Sequence, residues 1–230
     1  MSSVSEDRSW QQKVVVEATL DFRAAQSDAP SLGTETFSSG FSGYKVSPLA
    51  EASSSDLRHI LCRFTSEDGA QFLHIRDDGF SLIRRADYEG WDALAQEASK
   101  VWDAYVEALP GAVLKRVGVR YLNELMIPIE VPLHRFFRIY PAMPDPGTLF
   151  NFFSLMVETS IETPRGRLQT FIGPRRISED RRSVGIQLEN EFTFRYDRSV
   201  EMRRYLEQIQ EVMSETFQSQ ITDELRETLK

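Results

Sequence analysis

The chain has one cysteine, three histidines and no apolar run approaching the roughly 20 residues that a bilayer-spanning helix needs. Each scarcity removes a class of explanation. The single thiol, Cys62, cannot form a disulfide within the chain, so a disulfide-stapled scaffold is excluded and a reducing compartment is expected. It stands in HILCRF, where a small buried hydrophobe suits an apolar strand. Of the histidines, His59 and His134 flank apolar runs and His74 shares a strand pattern with Arg76, with no G-x-S-x-G elbow to complete a nucleophilic triad. Acidic turns at Ser66-Glu-Asp-Gly69 and Asp77-Asp-Gly79 are too short for a calcium loop, and GFSG at 40 to 43 lacks the lysine and following helix of a phosphate loop. The sequence thus predicts a non-enzymatic protein with no catalytic residues, no metal and no cofactor.

What is present is bulk and charge. In 230 residues, 41% hydrophobic and 11% aromatic, there is enough apolar material for one large domain or two tightly joined halves. A net charge of −8 and a pI near 5.1 exclude a basic coat for sequence-blind binding of nucleic acid or a membrane. The opening MSSVSEDRSWQQK puts charges where a signal peptide requires an apolar core, so a soluble cytoplasmic protein is expected.

Periodicity organises the rest. Residues 1–12 read as a flexible polar arm. In KVVVEATLDFR, Val14, Val16, Ala18, Leu20 and Phe22 alternate with polar residues, the period of a strand. A Ser-, Gly- and Pro-rich connection follows, with a second break at 52 to 56. Shorter strands are predicted at Tyr44 to Leu49, Arg58 to Phe64, Gln71 to Arg76 and Gly79 to Arg84, the last three joined by the two acidic turns as hairpins. The period then becomes helical: Trp91, Leu94, Ala98, Val101, Trp102, Tyr105 and Leu109 form one stripe, ended by Pro110-Gly111. A second strand series is predicted at Val113 to Glu124, with a continuation through IPIEVPLHRFFRIY, then Phe150 to Thr163, Arg167 to Ile172 and Val184 to Tyr196. Asn190 interrupts the apolar face of the last. Ser199 is the expected cap of a long C-terminal helix carrying Met202, Leu206, Ile209, Met213 and Phe217, with Thr222-Asp-Glu breaking or re-capping it. The fold class is therefore α+β: antiparallel sheet, one or two, with two long helices packed on one face, in two similar strand-then-helix halves at 13–111 and 112–230.

The motif linking these halves resembles that of a known group. GFSLIRRADYEGWDALAQEASKVWDAYVEAL followed by RVGVRYLNEL is similar to the signature of a sporadically distributed family of uncharacterised prokaryotic proteins, matched at Phe80, Ser81, Tyr88, Trp91, Trp102, Tyr105, Arg116, Gly118, Arg120, Tyr121 and Asn123. The opening VVEATLDFR and the closing F-x-x-x-I-T-D-E-L also match. The resemblance implies no activity; a patchy distribution would suit a defence role.

Arginine carries the binding expectations. In KRVGVRYLNEL, strand alternation puts Arg116, Gly118 and Arg120 on one face and Val117, Val119 and Tyr121 on the other. Two guanidiniums flanking a glycine floor suit a carboxylate or phosphate; the bland alternative is a ladder of ion pairs with Glu158, Glu189 or Glu191. Asn123 ends the motif as a hydrogen-bonding residue. From Pro164 to Arg182, six arginines face only Glu179 and Asp180, and Arg175, Arg176, Arg181 and Arg182 make a second candidate anion patch or a solvated hairpin tip. The leading expectation is a module docking a protein partner or a second copy of itself, with Met202, Met213 and Phe217 as candidate contacts. The alternative is recognition of an anionic small molecule, such as a nucleotide, or nucleic acid by Arg116, Arg120, Asn123 and the Arg175 to Arg182 patch.

Overall fold

The computed structural model describes residues 14–25, 41, 43–47, 60–85, 88–141, 153–197 and 200–229. The expected 1–12 arm, most of the connection from 26 to 56 and the cap Ser199 fall outside them. The chain is α+β. Among the described residues it has nine strands: β1 (Val15–Ala25), β2 (Tyr44–Ser47), β3 (Ile60–Ser66), β4 (Gln71–Arg76), β5 (Gly79–Arg85), β6 (Val113–Pro128), β7 (Leu155–Glu162), β8 (Arg165–Ile177) and β9 (Ser183–Arg195). The α-helices among the described residues are α1 (Trp91–Ala108), α2 (Met202–Gln220) and α3 (Asp223–Leu229). The strands form an antiparallel sheet in the order β2-β3-β4-β5-β1-β6-β9-β8-β7. No helix among the described residues is long and apolar enough to cross a membrane.

Two compact units share this chain, and neither is contiguous in sequence. One comprises residues 17–119 and 193–201; the other comprises 1–16, 120–192 and 202–230. The division falls within β1, β6 and β9, so the residues of each of those strands are divided between the units.

In the first unit, β3, β4, β5 and β1 pair antiparallel, with a register shift on β3 between Ile60 and Cys62, and with Leu73 opposite Leu82, Ile75 opposite Phe80 and Phe22 opposite Phe80. Alternation turns Ala18, Leu20, Phe22, Leu73, Ile75, Phe80 and Leu82 to one face, all 0% exposed. Helix α1 covers that face. Phe22 stacks on Phe80 with centroids 4.8 Å apart, Trp102 stacks on Tyr105 at 5.9 Å, and Tyr105 reaches Phe80 at 6.2 Å. The buried Tyr105 hydroxyl donates toward the carbonyls of Arg76 and Asp77, each 3.3 Å away, which satisfies the one polar atom of an apolar stripe. Cys62 is buried at 3% exposure, and burial pushes its thiol up to about 11.

The β4–β5 hairpin turns at Asp77-Asp-Gly79 with Gly79 at φ +144. A Cβ there would lie 1.8 Å from the Phe22 carbonyl oxygen, so only glycine lets β5 approach β1. Gly69, in the β3–β4 turn, also has positive φ (+71), but a Cβ there meets nothing within 4 Å.

In the second unit, Leu125, Ile127, Ile172, Ile186 and Leu188 pack with Phe217, Ile221 and Leu225. Helix α2 ends at Gln220 and α3 begins at Asp223, re-capped by Thr222, whose hydroxyl accepts from the Leu225 N–H at 3.3 Å. Asn190 breaks the apolar pattern for a reason: it exchanges amide hydrogen bonds with Gln220 (2.9 and 3.0 Å), while the Thr170 hydroxyl donates to Asn190 Oδ1 (2.7 Å) and accepts from Gln220 Nε2 (2.9 Å). All three side chains are buried, so the ring of bonds registers α2 on β8 and β9.

Two expected strands are shorter than the sequence suggests. The continuation through IPIEVPLHRFFRIY stops at Pro128; a 3-10 turn at Leu133–Arg135 follows, since Pro128 and Pro132 supply no ladder N–H. The strand expected from Phe150 starts at Leu155.

Two predictions follow from this packing. Replacing Gln220 with Met leaves the Asn190 Nδ2 donor without its acceptor in the interior and should cost about 1–3 kcal/mol in urea unfolding. A cost under about 0.5 kcal/mol would show that the ring is not holding the helix. Gly79→Ala should destabilise by several kcal/mol while Gly69→Asn costs about 1 kcal/mol or less, because only the first adds a backbone clash to the φ penalty; equal melting temperatures for the two variants would contradict that.

Candidate functional site

Helices α1 and α2 each cover one face of the strands in their own unit, so the side chains of opposite parity are the ones left for function. The valines of KRVGVRYLNEL turn inward, Val117 and Val119 at 0% and 1% exposure, and Arg116 is exposed on the other side. Between the arginines, Gly118 is no open floor: the Asp21 Cβ and the Thr193 hydroxyl stand 3.5 and 3.9 Å from where its own Cβ would be.

Arg120 donates to Glu189 Oε1 at 2.6 Å, and Gln187 donates to the other oxygen of that carboxylate at 2.8 Å. The ladder alternative to ligand binding thus holds at this position, through the acid on the neighbouring strand β9. Glu158 is taken by Gln169 (2.7 Å) and Arg167 (3.6 Å) instead. Asn123 is 4% exposed and donates to the Leu188 carbonyl at 3.1 Å, a strand-to-strand tie on the inward side.

The second arginine patch divides. Arg176 pairs with Glu124, and Arg175 lies 3.6 Å from the other oxygen of the same carboxylate, whose side chain is only 9% exposed. Sequence reasoning passed over Glu124, though its place four residues beyond Arg120 put it on the arginine parity. Arg181 (φ 57) and Arg182 sit exposed on the β8–β9 hairpin tip, where Asp180 accepts from the Arg182 N–H at 3.1 Å. The structure therefore brings Arg175 and Arg176 together on Glu124 and does not gather all six named arginines around one point. Of the partner-contact candidates, Met202 is partly exposed, whereas Met213 and Phe217 are buried at 2% and 6%, so those two side chains leave no apolar surface for a partner.

A cluster that sequence reasoning did not single out lies on the outer face of the first unit. His74 on β4 is directly opposite Arg63 on β3 and Ser81 on β5. Arg63 and Arg85 both stand over the Phe72 ring, 4.5 and 5.2 Å from its centroid, and Arg85 is held by Glu17 at 2.7 Å. Ser81 is engaged elsewhere, donating to Asp21 at 2.5 Å. Arg63 Nε and His74 Nε2 are shielded from solvent and have no protein hydrogen-bond partner among the described residues. The available signal was parity: Arg63, His74 and Arg76 occupy polar positions of paired strands. Reading it required the β3–β4 register.

Burial, reinforced by Arg63, Arg76 and Arg85 against Glu17 alone, holds His74 down at about 4. No protein-family model matches the sequence, and no curated protein matches it significantly.

The His74 environment sets a pH dependence. Its folded value lies below the unfolded one of about 6.5, so between about pH 6.5 and 4 the unfolded chain binds more protons. Stability is therefore expected to fall as pH drops through that window, and His74→Gln should flatten the decline. An unaltered slope in urea unfolding across pH 4 to 7 would place the titrating group elsewhere.

Proposed function

We propose that the chain is a non-enzymatic, cytoplasmic interaction module in which two long helices cover one face of the sheet, and whose partner is a second copy of itself paired along β7. The observation that carries this reading is the state of that strand. β7 is the terminal strand of the order, eight residues long, paired with β8 without a bulge from Leu155↔Ile172 to Glu162↔Arg165. Its sequence, LMVETSIE, has no lysine and no proline, the residues that ordinarily blunt an edge. The edge strand at the other end of the order, β2, spans only four residues.

Self-pairing also suits the chemistry. A two-fold axis normal to the sheet at Thr159 puts Val157 opposite Ile161, Glu158 opposite Ser160 and Met156 opposite Glu162, so no carboxylate faces another. Met156, 68% exposed, would lose solvent in that arrangement. Anion recognition through the sequence-derived arginines has less support, since Arg120, Arg175 and Arg176 already have carboxylates. Membership of the uncharacterised prokaryotic family is proposed alongside, with no function drawn from it.

Thr159→Lys sets two ammonium groups against each other at the two-fold and should weaken dimerisation at least tenfold in sedimentation equilibrium, restored in part by high salt. A wild-type chain that stays monomeric at high micromolar concentration removes the self-pairing reading. A dimer that ignores the substitution moves the interface away from β7.

A further inference from the structure

We propose that the first unit binds a small neutral polyhydroxyl molecule, a monosaccharide or polyol, in a cavity between the inner face of β4 and β5 and the flank of α1. Gln71, Arg84, Leu94 and Glu97 line it, and the exposed side chains of Gln96 and Lys100 stand at its rim. A departure from parity sets this place apart. Leu73 and Ile75 on β4 and Phe80 and Leu82 on β5 turn toward α1 and are 0% exposed. Two positions before Leu73 and two beyond Leu82, on that same face, stand Gln71 and Arg84, directly opposite each other. Packing alone calls for apolar residues there, since polar groups on a helix-covered face are costly unless they are bonded. Gln71 Nε2 donates to the Tyr44 hydroxyl, which donates to Glu97 Oε1 at 3.1 Å, and Arg84 donates to Asp68 at 2.8 Å.

Charge decides the ligand class. Arg84 has Asp68 at 2.8 Å and Glu89 at 3.9 Å, and Glu97 has Lys100 at 3.4 Å, so the charges around the cavity are already matched. An ion entering it would have to displace one of these partners. A hydroxyl group, at once a donor and an acceptor, adds bonds without removing any. Capacity for them remains: Gln71 Oε1 and the Gln96 amide make no hydrogen bond among the described residues. Leu94, 4% exposed, supplies an apolar patch for the C–H face of a ring or chain. Size sets the upper limit. The volume of about 270 Å³ equals on the order of nine waters at about 30 Å³ each, and lies just under the roughly 300–1,000 Å³ of sites for drug-sized molecules. One sugar unit suits that space better than an oligosaccharide or a nucleotide.

This site shares no residue with the β7 edge, and the two readings stand or fall separately. Its test is saturation-transfer NMR on the full chain with glucose, mannose, ribose and myo-inositol in turn, and with glutamate and lysine as charged comparators. At least one neutral compound should saturate with a Kd on the order of 10 mM or tighter and should bind more tightly than either amino acid. Gln71→Leu restores the apolar parity and removes the floor amide, and should weaken binding at least about tenfold. Gln96→Ala lies at an exposed rim position where the fold is not at stake, and should weaken it about threefold to tenfold. Arg203→Gln, on the exposed face of α2, should change nothing. Absence of saturation by all four neutral compounds at about 50 mM overturns the proposal, as does tighter binding of glutamate or lysine. So does an affinity that a folded Gln71→Leu or Gln96→Ala protein retains in full.

Discussion

Parity along the strands governs everything else in this molecule. A side chain at an even or odd position has its face decided by the pleat, and moving β6 or β4 by one residue would exchange valines and leucines for arginines and histidine against the helices. The aromatic stack of Phe22, Phe80, Trp102 and Tyr105 and the cluster of Leu125, Ile127 and Leu188 under Phe217 both depend on that choice. Each charged pair on the outer faces is its by-product. Arg120 meets Glu189, and Arg176 meets Glu124, because residues that avoid the interior on neighbouring strands are left beside one another.

A sheet with this design has no need of polar atoms in its interior, yet it retains one polar ring. Thr170, Asn190 and Gln220 are linked so that each amide serves as donor and acceptor. Apolar contacts alone allow a helix to slide along a sheet at modest cost, whereas a displaced amide pair loses its bonds outright. The ring therefore fixes the setting of α2 more sharply than Phe217 or Ile221 can.

Much of the architecture was legible because it rests on local signals. The alternation of β1 and β9, the glycine turns at 69 and 79, the stripe of α1 and its Pro110-Gly111 end are all written within short windows. The arginine surface was half legible. Facing direction follows from parity, but whether a guanidinium is spent or available depends on which acid lies across the ladder, a property of register between distant segments. Glu124 shows this, since it lies within the motif quoted for the arginines and yet serves residues some fifty positions later. Asn190 was seen to interrupt an apolar strand, but its partner on α2 could not be read from the strand itself. His74 was placed in a strand with Arg76, and the third member, Arg63, came only with β3.

The solitary thiol has a consequence of its own. Cys62 sits inside a strand at 3% exposure with its proton held tightly, so electrophiles and peroxides find neither access nor thiolate while the fold is closed. Alkylation of the native protein must wait for an opening that uncovers the Cys62 side chain. The rate of that slow reaction would measure the breathing of the first unit from within, with no label added.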